Sequence, residues 1–167
     1  MSTSTVCDQN NLTLDDLVQM SLEELQTLYK SGTTPKLRAI EGKADGMVLA
    51  GVRNPDSIPD AAWKGKNFRP LNDTEGLGTN RLEPKGTDTQ VTEYQFKFTL
   101  GDPVDGDTAV IVLDYNNNSN PESIRIIRDD VLQLNETLYL GRMYQATLQG
   151  FEFLVFFGLY LGGSEQS

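Results

Sequence analysis

The chain has 167 residues, with 14 Lys and Arg against 24 Asp and Glu, for a net charge of −10. That acidity argues against a nucleic-acid partner, which needs a basic surface to displace counterions. With no His and a single Cys, a histidine base, a histidine metal ligand, an intrachain disulfide and a CxxC site are all excluded.

Residues 1–11 are polar, with neither a basic start nor an apolar run. They read as a flexible tail of a cytoplasmic chain, not as a secretory signal. One domain is expected over 12–162, and residues 163–167 form a second flexible tail. Leu12, Leu14, Leu17 and Val18 predict a helical turn or two. Ser21 and Glu24 then form a capping box ahead of Leu22, Leu25, Leu28 and Tyr29, which share one helical face. The helix runs from Leu22 to Lys30, and Gly32 stands where a C′ glycine belongs.

Beyond Gly42 the period changes from helical to two. A strand is expected over Lys43 to Arg53, with Gly42, Gly46 and Gly51 marking bulges or close backbone approach. Pro55 and Pro59 break the chain, and Asp60 to Trp63 read as a helical turn. Short strands follow at Asn67 to Leu71 and Leu77 to Leu82. The clearest strand is Val91 to Leu100: Tyr94, Phe96, Phe98 and Leu100 share one face, and Glu93, Gln95, Lys97 and Thr99 the other. Thr108 to Tyr115 is apolar on both faces. Ser123 to Arg128 and Thr137 to Thr147 read as further strands. Gln149-Gly150 is a hairpin turn into Phe151 to Leu161, also apolar on both faces. That last stretch is far short of the ~20 residues a membrane helix needs. About eight strands joined by short turns predict a mainly β fold, an antiparallel barrel with an N-terminal helical lead-in. One face of Phe151 to Leu161 would pack under the helix and the other would line the interior.

The segment Trp63-Lys64-Gly65-Lys66-Asn67-Phe68, followed by Asn80, resembles a motif of small bacterial lipocalin-like (calycin-type) β-barrel proteins of uncharacterised function. Leu113-Asp114-Tyr115, Asn120-Pro121, Ile127-Arg128-Asp129-Asp130 and Leu138-Tyr139-Leu140-Gly141-Arg142 resemble their second half. The resemblance implies a calycin barrel, a small hydrophobic ligand and a helix covering one barrel end. It implies no reaction and no catalytic residues.

Candidate ligand-binding residues are Trp63, Lys66, Phe68, Phe96, Tyr115, Arg128, Tyr139, Arg142, Tyr144 and Phe153. Lys64 and Lys66, set between aromatics, could meet a ligand carboxylate at the barrel mouth. Alternatively, Trp63 plugs a barrel end and both lysines are solvated. Strand alternation turns at most one of Arg125 and Arg128 inward, to hold a carboxylate or to pair with Asp114 or Asp129. Asp114 ends an apolar run and is expected to be partly buried. Tyr139 and Tyr144, near Arg142, offer phenol donors for a carbonyl, or simply core and rim hydrogen bonds. Asp102, Asp105 and Asp107 fit a polar turn better than a calcium loop. Cys7, in the tail, has no base to activate it. No metal site and no cofactor are expected.

Three functions follow. The first is binding of a small hydrophobic or amphiphilic molecule inside the barrel. The second is a cofactor-free cyclase or isomerase acting on an apolar substrate by positioning it. The third is a protein–protein interaction module with a side-chain-filled barrel. Oligomeric state and ligand identity are not legible.

Overall fold

Eight segments with alternating apolar residues pair in chain order: β1 (Gly42–Gly51), β2 (Ala61–Pro70), β3 (Glu75–Pro84), β4 (Val91–Gly101), β5 (Val110–Asp114), β6 (Ile127–Gln133), β7 (Leu138–Thr147) and β8 (Gly150–Tyr160). Every neighbouring pair is antiparallel, and β8 returns to β1, so the sheet closes into a barrel with no free edge. The computed structural model describes residues 9–52 and 61–162. Cys7, Arg53, Pro55, Pro59 and Asp60 lie outside them.

Two helices precede the barrel, α1 (Leu14–Val18) and α2 (Leu22–Lys30). Each begins with a reciprocal capping box, Thr13 with Asp16 and Ser21 with Glu24, which satisfies amide groups the first turn leaves open. Both lie against β1, and α1 also lies against β8. Leu17, Leu25 and Tyr29 are buried there with Leu138, Leu140 and Phe156. The helices therefore cover the outer wall of the barrel, not its end. What joins the inner core ahead of β1 is Leu37 and Ile40, at the 3-10 turn Leu37–Ala39. This explains why β8 is apolar on both faces: Phe157 and Leu159 belong to the inner core and Phe156 to the outer one. No helix among the described residues is long and apolar enough to cross a membrane.

Three local expectations are corrected. Ala61 to Trp63 belong to β2, not to a helical turn. Ser123 to Arg125 lie in a short helix, α3 (Glu122–Arg125), after Pro121 at its N-cap, and the strand begins only at Ile127 and runs on through Asp129 and Asp130 to Gln133. The adjacent acids Asp129 and Asp130 continue the strand because each finds a partner on its own side of the sheet, Lys66 and Arg128. Asp114 is exposed, with its Oδ1 accepting the Asn116 amide at 2.8 Å.

Register shifts fall between Val48 and Gly51, Trp63 and Gly65, Gly78 and Asn80, and Met143 and Tyr144. All lie in the same half of the barrel, toward the β1–β2, β3–β4 and β7–β8 connections. Such bulges re-aim side chains and bend strands at a barrel rim. At the β4 shift, Tyr94 has φ 58°, the one non-glycine residue with positive φ among those described.

The β2 bulge has the largest consequence. In a regular strand Trp63 and Lys66 would face opposite sides; the extra residue turns both inward. Gly65 makes this possible. Its φ is +146°, and a Cβ there would stand 2.0 Å from the Ala44 carbonyl oxygen. Arg81 stitches the bulge from outside. Its guanidinium donates to the carbonyls of Ala44 at 2.9 Å, Lys66 at 3.0 Å and Lys64 at 3.4 Å, and to Asn67 Oδ1 at 2.9 Å. Gly65→Ala is therefore expected to destabilise the fold by about 3 kcal/mol, combining backbone strain with a backbone clash. A urea unfolding midpoint equal to that of the native protein would refute this role for Gly65.

Candidate ligand site

The bulged half of the barrel holds a cavity of about 440 Å³. Its apolar wall comes from the rims of several strands, including Leu82, Met143, Val155 and Phe157, and from Ile124 on α3. The other half of the interior carries an aromatic cluster. There Phe68, Phe96 and Phe98 pack edge-to-face or tilted, with ring centroids 5.3–6.2 Å apart.

A polar cluster lies in the cavity lining. Lys66 Nζ donates to Asn80 Oδ1 at 2.8 Å and to Tyr115 Oη at 2.5 Å, and stands 3.3 Å from Asp129 Oδ2. Tyr115 donates to the same Asp129 oxygen at 3.0 Å. Asn80 accepts from Trp63 Nε1 at 2.9 Å, and its amide donates to the Tyr94 carbonyl at 3.1 Å and to Tyr115 Oη at 3.2 Å. Four rings surround the ammonium at 5.2–5.4 Å: Trp63, Phe96, Tyr115 and Phe157.

The side chains of Lys66 and Asp129 are only 4% and 3% exposed. Desolvation pushes the Asp129 carboxyl up and the Lys66 ammonium down, and each partner's charge pulls the other back. Burial also raises the Tyr115 phenol well above its usual 10.0, and the Asp129 charge raises it further. The phenol therefore stays protonated and remains the donor. The side-chain donors of Trp63, Asn80 and Tyr115 all have acceptors. One acceptor is left over: Asp129 Oδ1 is the single buried side-chain polar atom without a hydrogen-bond partner among the described residues.

Of the ten residues expected at a site, Trp63, Lys66 and Tyr115 line the cavity. Phe96 stands directly behind it, and Phe68 and Tyr139 belong to the inner core. The other four lie elsewhere. Arg128 donates to Asp130 at 2.7 Å and to the Asp102 carbonyl at 2.6 Å, with its guanidinium over Phe151. Its partner is thus Asp130, neither Asp114 nor Asp129. Arg142 stacks on Tyr29, 4.0 Å from the ring centroid, under α2. Tyr144 donates to Asp105 at 2.9 Å, and Phe153 packs on Phe156 at 5.1 Å in the outer core. Tyr139 and Tyr144 thus fall on opposite faces of β7, and Arg142 faces the helix. Arg125 donates to the Asn120 carbonyl at 2.8 Å, and Lys64 sits on the surface, 3.9 Å from Glu83.

The reading of single residues missed Asp129 as the partner of Lys66, and Tyr94 and Asn80 as lining residues. Asn80 carried a signal through the resemblance. Tyr94 shared the face of Phe96 in the strand pattern. Asp129 lay in a resembling segment and was offered as a partner for Arg128, but nothing in the linear chain tied it to Lys66. No family model, curated protein or solved structure matches the chain.

Proposed function

We propose that the protein binds a small hydrophobic or amphiphilic molecule inside its barrel, in the manner of the lipocalin-like proteins that its sequence resembles. The observation that carries this reading is the cavity: about 440 Å³, mostly apolar walls and one concentrated polar cluster. Small-molecule sites share that composition and span roughly 300–1,000 Å³. A module that used only its outer surface would have no need of a hollow half-barrel, since an interior without partner atoms forfeits packing.

The test uses the neutral fluorophore N-phenylnaphthylamine. Binding should enhance its emission and alter that of Trp63, the single tryptophan, which lines the cavity. Val155→Phe places a larger side chain in the cavity and should weaken binding by about tenfold or more, while far-ultraviolet circular dichroism stays native. Equal binding by the two proteins would place the probe outside the barrel and count against this reading.

The polar cluster supports a second reading, a cofactor-free isomerase or cyclase. Tyr115 could lend its proton to a substrate carbonyl if its hydrogen bond to Asp129 opened. Recovery of a bound native ligand chemically unchanged after incubation would favour the binder.

A further inference from the structure

Given a ligand in this cavity, the cluster constrains the ligand's polar end. Lys66 donates two hydrogen bonds, to Asn80 and Tyr115, and faces Asp129 Oδ2 as its ion-pair partner at 3.3 Å. Tyr115 Oη accepts from Lys66 and Asn80, which directs its own proton to Asp129 Oδ2. The ammonium is therefore already engaged, by two acceptors and by its counter-charge. Its charge is already matched by Asp129, so the cluster is neutral as a pair. A ligand carboxylate or ammonium would enter as a third buried charge without a counter-charge, and that is costly. What the cluster lacks is a donor: Asp129 belongs to the cavity lining, is 2% exposed, and its Oδ1 has no partner. A buried carboxylate oxygen left unsatisfied is expensive, so a group that satisfies it gains a charge-assisted hydrogen bond.

We infer that the ligand is an uncharged apolar molecule with a hydroxyl group, which donates its hydrogen bond to Asp129 Oδ1. This rests on the cavity being the binding site, and it replaces the expected recognition of a ligand carboxylate by lysine. Lys66 and Tyr115 act as positioning residues that hold the carboxylate in place, and Asn80 holds both of them.

The experiment titrates the native protein with three probes of matched length: octanol, methyl heptyl ether and octanoate. Calorimetry and Trp63 emission give the affinities. Octanol should bind about tenfold or more tightly than either of the others, the worth of one hydrogen bond to a charged acceptor. Asp129→Asn, shown by far-ultraviolet circular dichroism to be folded at the assay temperature, should lose most of that preference while still binding the ether. Octanol and ether binding alike would overturn the hydroxyl inference and leave the cavity reading standing. So would octanoate binding most tightly, which would return the specificity to the lysine. Failure of all three to bind would count against the cavity reading itself, and the inference would fall with it.

Discussion

Lys66→Met should lower the melting temperature by roughly 10 °C, and Asp129→Leu should do the same, yet the double variant should recover most of the loss. Each single change strands one charge in a site that is 4% or 3% exposed, amid four aromatic rings. Breaking one side of a buried pair costs about 3–5 kcal/mol, because the remaining charge has neither water nor partner. Removing both leaves an apolar surface of similar volume that Tyr115 and Asn80 can still bridge. The double-mutant cycle therefore carries a large coupling term. If the two losses simply add, Lys66 and Asp129 do not depend on one another and the cluster is not the unit described above.

Alkaline pH should unfold the protein through its tyrosines. Tyr29, Tyr94, Tyr115, Tyr139 and Tyr144 all have phenols pushed up, chiefly by burial, with Tyr139 at about 12. A phenol that holds its proton more tightly when folded contributes stability that is fully present below its unfolded value of 10.0. That stability is lost as pH rises through the folded value. Tyr139 alone contributes about 3 kcal/mol, at about 1.4 kcal/mol per pH unit. Lys66 works in the opposite sense: its depressed ammonium makes stability rise as pH approaches 10.5. The net fall is therefore confined to higher pH. Tyrosinate absorbance and loss of near-ultraviolet circular dichroism should appear together, in one cooperative step between pH 10 and about 12. Tyrosines that ionise near 10 in a protein that stays folded would refute the packing assigned to them.

Helix α2 and strand β4 were legible because their apolar residues keep one period from end to end. Ser21 and Glu24 fixed the start of the helix, and Tyr94, Phe96 and Phe98 fixed the strand. The inward pairing of Trp63 and Lys66 was not legible, since strict alternation puts them on opposite faces and only the bulge at Gly65 unites them. The same holds in β8, where a shift opposite Met143 and Tyr144 sends Phe153 to the outer core and Val155 inward. Bulges change the phase of alternation without a reliable mark in composition. Asp129 was hidden for another reason. Its burial depends on a lysine 63 positions earlier in the chain, brought close only when the barrel closes. The arginines misled in the opposite sense. Arg128 and Arg142 resemble ligand clamps in a linear reading, but on the outer wall they tie β6 to the Asp102 carbonyl and stack on Tyr29 of α2.

The proposed ligand would fill the cavity lined by Trp63, Tyr115 and Asp129. Native mass spectrometry tests this on protein taken freshly from cells and again after incubation with octanol. A one-to-one complex in at least one of the two samples, lost in Val155→Phe, is the predicted result. Bare protein in both, or a complex that Val155→Phe retains, would contradict it.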